Sequence, residues 1–393
     1  MQHDSYWWVL RLLLGLVVGG VFVVFSSTLL RAQVHEDVEL HRALSDGGCN
    51  LCHQVPGFAV APRTDSCSGC HVWIRKIAAD PNTRQKAMQV FPKWERYERN
   101  VATYMAVPDL NAAIARLDAD WVRNYLEDPH DLRPSLPETM PRLGLSAADL
   151  NRISELFDGS NRSWPQTPSV DEKRVSEGAA LFSSKGCVAC HAFGDLHPGS
   201  GLPQSPDLAH TRDRMTNDAV VAWILDPKAV APSATMPSLG LSTDEAVAIR
   251  DYLILSTLSW SDAPKVGADP KPTSEPVTYA QVEERVFGKI CVHCHMDPAQ
   301  NEGRAGPGNA GGFGWKATGI ELQTMDGIRA VADRIGPSLL RRRHEMRRDF
   351  VGPGIKPASL ERPERPGMPL GLPPIPDEDI SLVLGWIEQG MPE

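Results

Sequence analysis

The 393-residue sequence has no cysteine outside four short motifs, and it is short of positive charge. It contains 40 lysines and arginines against 49 aspartates and glutamates, which gives a net charge of −9. That balance argues against a general nucleic-acid-binding protein. Nothing in the chain resembles a Ser-His-Asp arrangement or a nucleotide-binding fingerprint. The lack of stray thiols fits an oxidising compartment, where they would be a liability.

The four motifs each read Cys-x-x-Cys-His and together contain all eight cysteines. This pentapeptide is the attachment site of c-type haem. Its two thiols form thioethers with the vinyl groups of one porphyrin, and its histidine ligates the iron from the proximal side. We therefore predict four covalent haems. The attachment residues would be Cys49, Cys52, Cys67, Cys70, Cys187, Cys190, Cys291 and Cys294, and the proximal ligands His53, His71, His191 and His295.

Zinc binding and disulfide bonding are the alternative uses of paired cysteines. The interval between Cys52 and Cys67 comes close to the spacing of a zinc ribbon. A zinc ribbon needs no histidine after each second cysteine, yet histidine follows all four pairs. A disulfide framework would also leave the histidines unexplained. Haem attachment accounts for the whole motif and is the preferred interpretation.

The stretch Leu12 to Leu30 has no charged residue and is bracketed by Arg11 and Arg31. It is long enough to span a bilayer, and the aromatic residues at positions 6–8 suit the headgroup region. A cleaved signal peptide is the alternative, but no clear small-x-small cleavage site follows the run. We predict that residues 1–31 form an uncleaved membrane anchor. Haem attachment to such motifs resembles what occurs outside the bacterial inner membrane, so residues 32–393 should be periplasmic.

Three later segments repeat one order of features. A helix leads into the cysteine motif; Pro-Asp-Leu, a tryptophan, Asp-Pro, a Met-Pro loop and a closing helix follow. In the first two copies these residues are Pro108, Trp121 and Met140, then Pro206, Trp223 and Met236. Ser242 and Glu245 form a predicted capping box at the second closing helix. The third copy keeps Met368 and its helix, but its Pro307 lies in a different setting.

Two proline-rich stretches separate the copies and are predicted to be extended linkers. The resulting division is an anchor at 1–31, domains at 32–158, 173–258 and 279–393, and linkers at 159–172 and 259–278. The first domain contains two cysteine motifs but one Met-Pro loop. Residues 56 to about 104 are therefore interpreted as an insertion that carries the second motif.

The order of helix, Cys-x-x-Cys-His, Met-Pro loop and closing helix resembles class I cytochrome c, in three tandem copies over nearly all of residues 36–390. The resemblance implies a mainly α fold. It also implies that Met140, Met236 and Met368 are the distal iron ligands, although a methionine can simply fill a gap in a core. By the same resemblance, the carbonyls of Pro108 and Pro206 would accept the ring N–H of a proximal histidine. Trp121 and Trp223 would donate to a haem propionate, with ordinary packing as the alternative.

The second motif lacks an evident distal ligand. The candidates are His35, His41, Met88, Met105 and His130. A histidine would give a haem of lower potential than its neighbours, and an open site would give a high-spin haem able to bind small molecules. The sequence does not select among these possibilities.

Two further stretches carry weaker predictions. The basic run 341–348 is interpreted as a solvated helix face, with a docking patch or a propionate partner as the alternative. The glycine-rich run 301–319 is interpreted as a loop beside the third domain's haem or as a contact surface for another subunit.

Overall the chain resembles membrane-anchored multihaem cytochrome subunits of bacterial respiratory complexes, including quinol-oxidising bc-type complexes. The implied function is electron transfer to a terminal oxidase or soluble cytochrome, with other subunits or redox proteins as partners and no catalysis of its own. One alternative is a haem peroxidase that uses the haem at Cys67. Another is the cytochrome subunit of a periplasmic alcohol or sugar dehydrogenase.

Overall fold

A computed structural model describes most of the chain beyond its first 36 residues. The described residues are 37–60, 66–91, 94–95, 98, 101, 107–129, 132–133, 140–158, 164–198, 202, 205–262, 267–289, 291–295, 320–349, 355–356 and 366–393. Within them the protein is mainly helical and has almost no strand, which confirms the mainly α prediction. Ser261–Asp262 (β1) pairs in parallel with Ile355–Lys356 (β2).

The helices in chain order are α1 (Val38–Asp46), α2 (Cys49–Cys52), α3 (Cys67–Ala78), α4 (Pro81–Val90), α5 (Leu110–Ile114), α6 (Ala119–Glu127), α7 (Ala147–Ser154), α8 (Val175–Ser184), α9 (Thr211–Arg214), α10 (Asn217–Leu225), α11 (Pro227–Val230), α12 (Thr243–Leu255), α13 (Tyr279–Val282), α14 (Met325–Arg329), α15 (Ala332–Asp349) and α16 (Asp377–Glu388). Short 3₁₀ turns lie at Glu155–Phe157, Glu172–Arg174, Cys187–Ala189, Leu208–His210 and Cys291–His293, and a π turn at Glu283–Phe287.

The same helix pair organises each of the three repeats: the helix before a cysteine motif packs against the closing helix. The pairs are α1 with α7, α8 with α12, and α13 with α16. Each pair contributes to its own cluster of buried apolar residues. The predicted capping box is present, since Ser242 and Glu245 exchange hydrogen bonds of 2.8 and 3.2 Å at the start of α12.

The second motif has a small core of its own. Helix α3 begins at Cys67, and the Ser66 hydroxyl caps it by accepting the Gly69 amide at 2.9 Å. Helices α3 and α4 pack together around Trp94, which is 1% exposed. Phe58 lies near the start of the predicted insertion, but it packs against the first domain's core and not against this small one. A separate core for this part of the chain is the arrangement that an inserted unit would produce.

The described residues of the two predicted linkers are hydrogen-bonded to the domains beside them. In the first, the Thr167 amide donates to Asp218 at 2.9 Å, and the Pro168 carbonyl accepts from Arg250 at 2.7 Å. Trp164 reaches back to donate to the Ala115 carbonyl of the first domain at 2.8 Å. In the second, the Thr273 amide donates to Ser381 on α16 at 3.1 Å. The described parts of both linkers therefore pack against the domains and are not free spacers.

The first and second domains meet through equivalent parts of their repeats. Leu117 and Met215 form an antiparallel bridge, and the Asp118 amide donates to the Arg214 carbonyl at 2.9 Å. Leu117 follows Pro108 by the same interval as Met215 follows Pro206. An antiparallel contact between matching residues relates the two domains by a local two-fold axis. Residues next to this bridge therefore face their own counterparts.

Candidate functional site

One continuous cavity of about 1620 Å³ is lined by residues of all three domains. Its wall includes the cysteines and histidine of the first, third and fourth motifs, and Cys70 and His71 of the second. Met140, Met236 and Met368 line the same cavity. The residues predicted to hold the cofactors thus meet in one interior space and do not occupy three isolated pockets.

Two of the histidines predicted to be proximal ligands are held by the proline carbonyls expected from the resemblance. The His53 ring donates from Nδ1 to the Pro108 carbonyl at 2.8 Å, and the His191 ring donates to the Pro206 carbonyl at 3.0 Å. This bond fixes the tautomer and leaves Nε2 as the free basic nitrogen. A neutral imidazole oriented in this way is what a metal ligand requires.

In the third repeat the same bond runs to Ile320, a residue that the sequence analysis did not identify. The Ile320 carbonyl accepts the His295 ring N–H. Two residues later, the Leu322 amide donates to the His295 carbonyl at 2.9 Å, much as Leu110 and Leu208 donate beside the first two histidines. The available signal was the acidic residue and leucine that follow the carbonyl in all three copies.

Burial keeps the four motif histidines neutral. It lowers the pKa of His53, His191 and His295, and it lowers the pKa of His71 to about 4. For the first three, the hydrogen bond to a backbone carbonyl partly opposes this effect. All four rings are therefore unprotonated at neutral pH and suited to metal ligation.

None of the seven cysteines whose side chains the structure describes is in a disulfide bond. Burial raises the pKa of Cys49 to about 11 and the pKa of Cys291 to about 12. Cys294 is open to the cavity but lies deep in the protein, and burial raises its pKa to about 12. These are protonated thiols that face an interior space.

Three of the four motifs converge at one place in the cavity. The pKa of Cys294 is raised further by the nearby thiols of Cys52 and Cys70, which belong to two other motifs. Helices α2 and α3, which carry those two thiols, pack against each other. The first, second and fourth motifs therefore approach one another on their thiol sides. We call this meeting point the thiol junction.

A tryptophan contacts the sulfur of one predicted distal ligand. The Trp223 indole N–H donates to Met236 Sδ at 3.2 Å, and both side chains line the cavity. The sequence analysis took Trp121 as the counterpart of Trp223 in the first repeat. The position equivalent to Trp223 is instead Tyr125, because both residues precede an Asp-Pro step by the same interval. Tyr125 lines the cavity and stacks on Trp121 at 4.6 Å between ring centroids.

Neither described candidate for the second motif's distal ligand lines the cavity. His41 stacks on Phe58 with 4.2 Å between ring centroids. Met88 is 39% exposed, and Arg84 donates to its sulfur at 3.4 Å. The other three candidates, His35, Met105 and His130, lie outside the described residues, as does the glycine-rich run 301–319.

The cavity wall carries an excess of positive charge on an otherwise apolar surface. Its charged residues are one aspartate, Asp109, and five arginines, namely Arg75, Arg116, Arg133, Arg214 and Arg334. Within the described residues, Arg116 Nη1 and Arg214 Nε are buried without a hydrogen-bond partner. Burial, and next the charge of Arg133, lowers the pKa of Arg116 to about 10 and that of Arg214 to about 9. Such a wall suits an apolar ligand with anionic groups.

The basic run 341–348 was interpreted as a solvated or docking surface, and for two of its arginines that prediction is wrong. Arg342 and Arg343 are each 2% exposed. Arg342 donates to the Leu372 carbonyl at 2.7 Å, which ties α15 to the loop after Met368. Arg343 donates to Asp377 at 2.9 Å. Arg343 also donates to the Ala268 carbonyl of the second linker at 2.9 Å, so both arginines supply hydrogen bonds to backbone carbonyls inside the protein.

No cluster of three or more His, Cys, Asp or Glu side chains suited to direct metal binding occurs in the described ranges. In that same part of the chain, no helix is both long and apolar enough to cross a membrane. The predicted anchor, which includes Leu12 to Leu30, lies outside it. Searches against protein-family models, curated proteins and solved structures found no match to this chain.

Proposed function

We propose that this chain is a tetrahaem c-type cytochrome, anchored to the bacterial inner membrane by residues 1–31 and active in electron transfer in the periplasm. The observation that carries the proposal is the single cavity, because all four Cys-x-x-Cys-His motifs contribute to its wall. Cysteine thiols, neutral histidines and three Met-Pro methionines face this space together. No other cofactor class accounts for every residue of the motif.

The fit of the residues to haem can be argued from their chemistry. A porphyrin is a flat apolar ring with carboxylates on one edge, and the wall is apolar with five arginines. Two of those arginines have buried nitrogen atoms without a hydrogen-bond partner among the described residues. Bound haem supplies one-electron redox chemistry, with a potential set by its axial ligands and surroundings.

The protein's own residues would hold and tune that group. The cysteine pairs anchor it covalently, and the carbonyls of Pro108, Pro206 and Ile320 orient the proximal imidazoles. Met140, Met236 and Met368 offer thioether sulfurs as distal ligands, which favour the reduced iron. The apolar wall keeps water away and maintains a low local dielectric.

The direct test is the intact mass of the protein extracted from membranes. We expect the full chain, with residues 1–30 retained, plus four haems. Replacing both cysteines of one motif with alanine should remove one haem from the mass. A protein that carries zinc, or disulfides in place of thioethers, would refute the proposal. Loss of the first 30 residues would refute the anchor alone.

A second candidate function is a peroxidase-type enzyme centred on the second motif. It is favoured by the positions of His41 and Met88, neither of which lines the cavity. An iron with an open sixth position binds small molecules, whereas a six-coordinate iron transfers electrons. Peroxide turnover together with a high-spin ferric signal that disappears in His71→Ala would favour this enzyme. A wholly low-spin spectrum without turnover would exclude it.

The proposed partner is a quinol-oxidising complex, with a terminal oxidase or soluble cytochrome as the acceptor. The alternative partner is a periplasmic alcohol or sugar dehydrogenase. Co-purification from solubilised membranes distinguishes them, because the cytochrome should remain with the complex that reduces it. A quinol-oxidising complex that is isolated repeatedly without this chain would count against the first partner.

A further inference from the structure

Arg116 and Arg214 occupy equivalent positions in the first two repeats, on either side of the bridge between Leu117 and Met215. The local two-fold axis at this bridge brings the two arginines together, and the charge of Arg116 contributes to the lowered pKa of Arg214. Arg133 lies near both of them. Three cations therefore meet at one domain boundary inside the cavity.

The two arginines reach across this boundary into opposite domains. The Arg116 guanidinium, from the first domain, lies 5.0 Å from the centroid of the Trp223 ring in the second. Trp223 in turn contacts Met236. Arg214, from the second domain, lies near Tyr125 in the first, and Tyr125 is the counterpart of Trp223. Each domain thus receives an arginine from its neighbour beside the equivalent aromatic residue.

Within the part of the chain that the structure describes, no carboxylate forms an ion pair with either arginine, although Asp109 lies near Arg116. One nitrogen atom of each is buried without a hydrogen bond in that part of the chain. Leaving a buried cationic donor unsatisfied is costly, so an anionic acceptor at this place would stabilise the fold. Guanidinium groups bind carboxylates well, often through two parallel bonds.

We propose that Arg116 and Arg214 are exchanged between the first two domains, each binding the carboxylates of the haem held in the other domain. This inference rests on the proposed function, since it requires a haem in each of the two domains. Because of this exchange, the potential of each haem depends on an arginine of the other domain. A positive charge beside a haem favours its reduced form, so each domain raises the potential of its neighbour's haem.

The test compares Arg116→Gln with Arg116→Lys and with Arg123→Gln as a matched control. Arg123 lies on α6 of the same domain but pairs with Glu127 at 3.1 Å, away from the cavity. Midpoint potentials are measured by spectroelectrochemistry on protein whose four haems have been verified by mass. The haem of the second domain is identified as the transition that moves in Met236→His.

Arg116→Gln should lower the potential of the second domain's haem more than that of the first domain's haem. Arg214→Gln should show the reverse preference, and Arg116→Lys should stay close to the wild-type values. A shift confined to the arginine's own domain, or a lysine variant that shifts like the glutamine variant, overturns the proposal. So does a set of potentials indistinguishable from those of Arg123→Gln.

Two further arms keep the result interpretable. The same potentials are measured in buffers with and without inorganic phosphate. A difference between variants that appears only in phosphate would mean that the arginines hold a free anion, which overturns the proposal.

If Arg116→Gln does not accumulate with four haems, the Arg116→Lys variant decides the matter. Four haems with wild-type potentials in Arg116→Lys would support the proposal that a positive charge is needed at this position. Loss of a haem from Arg116→Lys would overturn it. A wild-type protein without haem would instead defeat the proposed function itself.

Discussion

At the scale of single residues, Met236 is the predicted distal ligand with the best-defined surroundings. Its sulfur accepts the Trp223 indole N–H, and the Trp223 ring lies beneath the Arg116 guanidinium. A thioether is a weak donor to iron, so these neighbours influence how strongly it binds and how far it favours the reduced state. On the proposed function, replacing Met236 should therefore change the redox behaviour of one haem.

We predict that Met236→His lowers one midpoint potential by a fraction of the roughly 0.8 V that axial ligation spans. Histidine stabilises ferric iron better than a thioether does, so the iron should stay low-spin while its potential falls. Spectroelectrochemistry should show one transition moved and three retained. Met215→Leu is the control, because Met215 also lines the cavity in the same domain and its change nearly conserves volume. Equal shifts in both variants would contradict the ligand assignment.

At the scale of elements, the crossing of α8 and α12 depends on a residue without a side chain. A Cβ atom at Gly178 would overlap the carbonyl oxygen of Ala248, which belongs to the opposite helix backbone. Neither helix can move apart freely, because Phe182 and Ile249 next to the crossing are buried in the same core. This close backbone contact therefore helps to fix the position of Cys187, which follows α8.

We expect Gly178→Ala to destabilise the second domain by about 1–3 kcal/mol or more, since overpacking forces the two backbones apart. The alanine gains some helix propensity, but less than the overlap costs. Thermal unfolding followed by circular dichroism would measure the change. Ser183→Ala, at an exposed position of the same helix, should be nearly neutral. A Gly178→Ala protein as stable as Ser183→Ala would show that the crossing tolerates a methyl group.

The sequence predicted the helices well because their signals are local. Ser242 and Glu245 are close in the chain, so the capping box could be read from it. The carbonyls that hold His53 and His191 were anticipated because proline marks them, whereas any residue type can supply a carbonyl, so Ile320 went unnoticed.

Long-range geometry was harder to anticipate. Arg343 looked solvent-exposed because its partner Asp377 lies far along the chain. The meeting of Arg116 with Trp223 depends on how two domains dock, which no local pattern records.

At the scale of the whole molecule, the thiol junction makes the first domain the centre of the arrangement. The first motif meets the second and fourth motifs at Cys52, Cys70 and Cys294. The first domain also meets the second across the Leu117–Met215 bridge. On the proposed function, electrons would pass through a branched set of sites and not along a line in chain order.

On the proposed function, this arrangement predicts which irons interact magnetically. Replacing Cys291 and Cys294 with alanine should remove the fourth haem and sharpen the ferric electron paramagnetic resonance signal of the second, because neighbouring paramagnetic centres broaden each other. Replacing Cys187 and Cys190 should leave that signal unchanged, since the third motif lies outside the thiol junction. Sharpening in both variants, or in neither, would contradict the branched arrangement.

The shared cavity also bears on how the protein is made. The cavity of about 1620 Å³ is lined by residues of all three domains. On the proposed function, porphyrin rings would lie between the domain cores, and the thiols that attach them, such as Cys49 and Cys291, are buried in the folded chain. Thioether formation would therefore have to precede the closing together of the three domains, while those thiols are still accessible.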